Sequence, residues 1–113
     1  MEFNSIGFFQ FDNLLRNRVP LLLVMLEEVN LKPWYDSVVQ MHIQNATISC
    51  TSKEEALKLI QDKKLPAHFG IVVLDQKGDK SPTVVAELEK VGFTNAFYVK
   101  NGFVGISEER NQN

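Results

Sequence analysis

Two hydrophobic periods alternate along this chain of 113 residues. Leu21 to Leu26, Ile71 to Leu74 and Ala96 to Val99 are short apolar runs that read as buried strands, with Ala46 to Ser49 a shorter and weaker fourth. Gly70 before Ile71 and the β-branched residues after it strengthen that reading. Between the runs the period lengthens. Ser52 followed three residues later by Glu55 is a capping box, and Ala56, Leu57, Leu59 and Ile60 recur at helical spacing, so a helix is expected to about Asp62. Ser81 as N-cap, Pro82 at the first helical position, the stripe Val84, Val85, Leu88 and Val91, and Gly92 at the left-handed C-terminal position predict a second. A third is expected to begin around Phe11 to Arg16 with Asp12 or Asn13 near its cap, and a short one over Pro33 to Val38. Strands alternating with helices predict an α/β domain with a mostly parallel, helix-covered sheet.

Composition narrows the function classes. Twelve Lys plus Arg against fourteen Asp plus Glu leave a net charge of −2, so there is no basic surplus of the kind that binds phosphate backbones, and nucleic acid is not expected as a partner. No linker or repeat divides the chain, and residues 1–113 read as one domain. Cys50 is the single cysteine. It allows no intrachain disulfide and no cysteine-based metal cluster, and no metal or cofactor is expected. A reducing, cytoplasmic location fits that usage. The longest apolar run, Val19 to Leu26, is far below the roughly 18 residues a membrane span needs, so no membrane association is expected.

The candidate chemistry lies where Ile71 to Leu74 runs through Asp75, Gln76, Lys77, Gly78, Asp79, Lys80 and Ser81 into the Pro82 helix. A tight loop between a buried strand and a helix N-terminus turns several backbone N–H groups toward one point, where the helix dipole adds about half a positive charge. That geometry is an anion cradle. The loop is formally neutral, with Asp75 and Asp79 offsetting Lys77 and Lys80.

Val72 to Ser81 resembles the active-site loop of rhodanese-like sulfurtransferases, an apolar strand followed by C-x-x-G-x-R-S. Three further segments agree in order: Met41 to Ala46 is similar to the family's G-H-I-P-G-A, Leu88 to Ala96 to its L-x-x-x-G-F-x-N-V, and Asn101 to Ile106 stands where G-G-x-x-x-W is usual. The resemblance covers about residues 6–106. It implies a three-layer rhodanese-like α/β domain, with helices on both faces of a mostly parallel sheet of four or five strands, and with Leu22, Val24, Val72, Leu74 and Phe97 in the sheet interior.

The same resemblance implies a loss of chemistry. The family carries sulfur as a persulfide on the loop cysteine, and that position is Asp75. A carboxylate cannot do this, because the step needs a polarizable thiolate of lowered pKa. Lys80 stands in place of the loop Arg, without its planar fork for oxyanions. The family's D-x-R falls near Val24 to Glu27, so its bracing charges are expected to be missing. Met41, Gln44, Asn45, Asn101 and Ile106 replace family Gly, Pro, Gly, Gly and Trp.

Asp75 has two readings, an acceptor for the cradle's own N–H groups or a nucleophile for phosphoryl transfer. Cys50 falls on a different connection and reads as a small buried hydrophobe. His42 is expected in a structural turn, His68 on the surface, and Trp34, Tyr35 and the Phe8, Phe9, Phe11 cluster in the core. The expected function is an inactive rhodanese-like domain that serves as a binding or regulatory module, with an unidentified protein as partner and no catalytic residue. In the rival reading it is a divergent sulfurtransferase-like or phosphatase-like enzyme with a different nucleophile or a partner's thiol. The six-residue loop from Asp75 to Lys80 implies the sulfurtransferase branch, since the related phosphatases have longer loops.

Overall fold

In the computed structural model, which describes residues 4–111, the apolar runs assemble into one five-stranded sheet. Chain order is β1 (Ser5–Ile6), α1 (Phe8–Arg16), β2 (Leu22–Met25), α2 (Ser37–Ala46), β3 (Thr47–Ser49), α3 (Lys53–Asp62), β4 (Ile71–Leu74), α4 (Ser81–Lys90), β5 (Ala96–Val99) and α5 (Gly102–Asn111). The strands lie in the order β1-β5-β4-β2-β3, and every pairing is parallel. Parallel neighbours need crossovers, and the helices supply them.

Register divides each strand between two faces. Val24 lies opposite Val73, and Leu23 opposite both Val72 and Thr47. Leu23, Met25, Val72 and Leu74 pack with Phe11, Leu15, Ile43 and Ile106 of α1, α2 and α5. Leu22, Val24, Ile71, Val73 and Ala96 pack with Ala56, Ile60, Val84, Val85 and Leu88 of α3 and α4. The unbroken apolar runs are the consequence of covering both faces. Leu23 has no exposed surface, and truncating it to Ala would cost about 2–5 kcal/mol.

Several expectations are corrected. Of the expected interior residues, Phe97 is only half-buried; it borders an open cleft with Leu14, Val19 and Val72. The first helix begins at Phe8, three residues early. Gly7 precedes it in extended conformation and donates its N–H to Gln10 Oε1 at 3.3 Å, while Phe8, Phe11 and Leu15 form the buried stripe. Phe9 points to solvent. Tyr35 is buried and donates its hydroxyl to Asp12 Oδ1 at 2.9 Å. Trp34, half-buried, stacks on Phe103 with centroids 5.2 Å apart.

The larger correction is α2. Pro33 lies in a 3₁₀ turn over Lys32–Trp34, and a full helix follows, capped by the Asp36 carboxylate, which accepts the Val39 N–H at 3.0 Å. Met41 to Ala46 is therefore helical, and His42 sits in a helix rather than a turn. The cause is local: Met41 to Ala46 contains neither Gly nor Pro, so nothing in the segment interrupts the helix.

Candidate functional site

β2 and β4 are neighbours at the centre of the sheet, and their exits diverge. After β2 the chain turns to the face covered by α2, and after β4 to the opposite face covered by α4. A crevice between the carboxyl ends of two such strands is where open α/β sheets hold ligands. Here the Asp75 loop and Glu27 meet in it.

Asp75 follows β4 directly and has no exposed surface. Its Oδ1 accepts the Gly78 N–H at 2.7 Å, and its Oδ2 accepts those of Lys80 at 2.7 Å and Ser81 at 3.0 Å. The loop's donors thus converge on one point, and a side chain of the loop itself stands there. The same bonds revise the cap of α4. The helix starts at Ser81, with Lys80 as the preceding residue, and the acceptor for its first N–H groups is Asp75, not the Ser81 hydroxyl. Ser81 Oγ is buried without a partner among the described residues.

The loop is held from two sides. Glu27, two residues beyond β2, accepts the Gln76 N–H on Oε1 at 3.0 Å and the Lys80 ammonium on Oε2 at 3.1 Å, and Gln76 Nε2 donates to the Glu28 carbonyl. The Gln76 bond first, then Lys80, holds the Glu27 carboxyl below its ordinary range, and Glu27 in turn pushes the Lys80 ammonium up. From the other side, Phe103 and Val104 at the start of α5 donate N–H groups to the carbonyls of Asp75 and Gln76 at 2.8 and 2.9 Å. Gly78, at φ +80, lets the loop approach Asn101.

The loop named from sequence, Asp75 to Ser81, is thus brought together in one place. Glu27 is the residue that sequence reasoning missed: it lies just past β2, and its carboxylate ties down the loop. Cys50 lies elsewhere, between β3 and α3, in the apolar cluster with Ala56 and Ile60. Burial, then the charge of Glu55, pushes its thiol up, opposite to what a nucleophile needs. His42 Nε2 is buried without a partner among the described residues, and His68 is exposed.

Carboxylate oxygens of Glu27, Asp75 and Asp79 lie within 4.8 Å of one another, the one acidic group among the described residues close enough to hold a metal ion. Both oxygens of Asp75 and both of Glu27 already accept hydrogen bonds from N–H donors. Beside this group, a cleft of about 280 Å³ is bordered by Leu26, Ser52, Lys53, Lys80 and Thr83.

The sheet order, the crossing helices and the strand–loop–helix joint at β4 together give this chain the rhodanese-like fold. It is similar to the rhodanese-like domain of an Anabaena protein, with a TM-score of 0.66 at 12% identity over 96% of this chain and 76% of that one. Thiosulfate sulfurtransferase from Pseudomonas aeruginosa superposes with a TM-score of 0.63 at 16% identity, over 93% of this chain but only 18% of the enzyme. A Bacillus halodurans protein gives 0.62 at 10% identity, over 94% of this chain and 72% of that one. No family profile and no curated protein matches the sequence. The loop after β4 contains no cysteine, and the chain's single cysteine is buried Cys50.

Proposed function

We propose that this chain is a rhodanese-like domain that does not transfer sulfur and acts as a binding or regulatory module, through a protein partner or a small ligand held beside the old loop. The observation that carries the reading is the Asp75 carboxylate, fully buried and accepting three loop N–H groups. In an active loop such donors serve an external anion and a thiolate. Here an external anion would have to displace a tethered one. At about 4 Å and an effective dielectric near 20, repulsion between the two is on the order of 4 kcal/mol before screening, which cancels a typical millimolar affinity.

The same observation weighs against the rival reading. A nucleophilic aspartate needs a free, approachable oxygen, and both oxygens of Asp75 are engaged and covered. On the proposed reading the chain needs no metal or cofactor and works in the cytoplasm. Its net charge of −2 supports a protein rather than a nucleic acid as partner. No helix among the described residues is long and apolar enough to cross a membrane.

A thiosulfate:cyanide assay tests the reading. Wild-type protein should form thiocyanate at the background rate, and Asp75→Cys should recover little, because the loop Arg and the family's bracing pair are missing as well and catalytic groups act as a unit. Turnover in the wild type that persists in Cys50→Ala would overturn it. Thiosulfate titration followed on the Gly78 and Ser81 amides should give no saturable shift in the wild type and a saturable one in Asp75→Gly, where the donors are freed.

A further inference from the structure

The peptide groups of the Asp75 loop are used in two directions at once. The N–H groups of Gly78, Lys80 and Ser81 point inward to the Asp75 carboxylate. The carbonyls of Asp75 and Gln76 point the other way and accept the Phe103 and Val104 N–H groups, which a helix start otherwise leaves without partners. The loop is therefore the cap of α5, while its own carboxylate is the cap of α4.

The approach of α5 is unusually close. A Cβ on Gly102 would stand 2.6 Å from the Asp75 carbonyl oxygen and the Gly78 nitrogen, and 2.8 Å from Asp75 Oδ1. The carboxylate thus lies at the N-termini of α4 and α5 together, where both dipoles favour its charge. The chain enters α5 through consecutive residues at positive φ, Asn101 at +63 and Gly102 at +61. At these two the chain turns into α5, and Phe103, stacked on Trp34, is the first side chain beyond them.

We propose that the first turn of α5 is a hinged lid whose closure is coupled to the occupant of the Asp75 loop. The proposal deepens the module reading above and rests on its view of Asp75 as the loop's permanent anion. Whatever neutralises or displaces the carboxylate loosens the lid, and whatever lifts the lid frees the loop's donors. The coupling must be reciprocal, as any linkage between two equilibria is. It assigns the regulated element of the module to Asn101–Val104.

Amide hydrogen exchange tests it, with the sheet amides of Val24 and Val73 reporting global opening. In Asp75→Asn, which keeps the side chain's size and removes its charge, Phe103 and Val104 should exchange about tenfold faster or more relative to the sheet. In Gly102→Ala, which props the lid, Lys80 and Ser81 should do the same, although neither is among the closest atoms to the added methyl. If either variant fails to fold, the wild type in low denaturant still decides: all four amides should share one opening free energy below the global value. Faster exchange confined to the side of each substitution, or two unequal opening free energies in the wild type, would overturn the coupling. Neither readout involves turnover. A failed coupling therefore leaves the inactive reading standing, and sulfur transfer by the wild type would strike that reading without touching the exchange pattern.

Discussion

Glu27 and Lys80, fifty-three residues apart in the chain, meet at 3.1 Å and join the exit of β2 to the loop that follows β4. Because the folded carboxyl of Glu27 is held below its ordinary pKa, its contribution to stability is complete at neutral pH. It should be lost as pH falls from the ordinary glutamate value, about 4.3, through the lower folded value. Lys80 is raised, so its share is complete below its ordinary pKa and should fade only as pH rises through the folded value. Urea midpoints of wild type and Glu27→Gln should therefore differ at pH 7 and converge toward pH 3. A constant gap would show that the carboxylate's charge contributes nothing.

Ser81 and Asp75 should respond in opposite senses. The Ser81 hydroxyl is buried and unpartnered among the described residues, so Ser81→Ala removes a desolvated polar group and keeps the backbone N–H that matters. Its stability should be unchanged or higher by about 1 kcal/mol. Asp75→Ala orphans three N–H donors and should cost about 3 kcal/mol or more. Chemical denaturation of both variants checks the pair.

Gly78 and Gly92 both hold positive φ, at +80 and +104, but they differ in what surrounds them. A Cβ on Gly78 would stand 2.8 Å from the Asn101 backbone, whereas one on Gly92 meets nothing within 4 Å. Gly92→Ala should cost only conformational strain, about 1 kcal/mol. Gly78→Ala should cost at least about 2 kcal/mol, because the loop must also part from Asn101. Equal thermal shifts for the two would count against that packing.

Cys50 is buried and its thiol is pushed up by burial. Reaction with a disulfide reagent at pH 8 should be slow in the native protein and should accelerate by orders of magnitude on unfolding, since the thiolate is the attacking species. Fast native labelling would mean that the α3 side of the core opens readily.

Much of this architecture was readable where local and tertiary signals agree. Ile71–Leu74 and Ala96–Val99 are apolar runs with turn residues before them, and Lys53–Asp62 carries its own cap. The α2 segment was hidden because its match to a turn motif outweighed the plain fact that Met41 to Ala46 contains no helix breaker. The α5 segment was hidden because Gly102 and Gly105 weaken its propensity, and its first turn depends on carbonyls of Asp75 and Gln76. At the site, the Asp75 loop stood out by its position between strand and helix, but which way its carboxylate turns depends on where three N–H groups lie. Glu27 gave no signal. Its role follows from β2 lying beside β4, and that adjacency arises from crossovers, not from neighbouring residues.

The pairing of β1 with β5 has a consequence for how the chain is made. Tyr98 donates its N–H to the Asn4 carbonyl, and Lys100 to that of Ile6; the Asn4 side chain reaches the Ala96 carbonyl, ninety-two residues away. A ribosome therefore delivers Ser5–Ile6 long before the strand it must join. Until β5 emerges, α1 is retained by its apolar stripe and by the Tyr35 hydroxyl on Asp12, and β5 then closes against a strand made about ninety residues earlier.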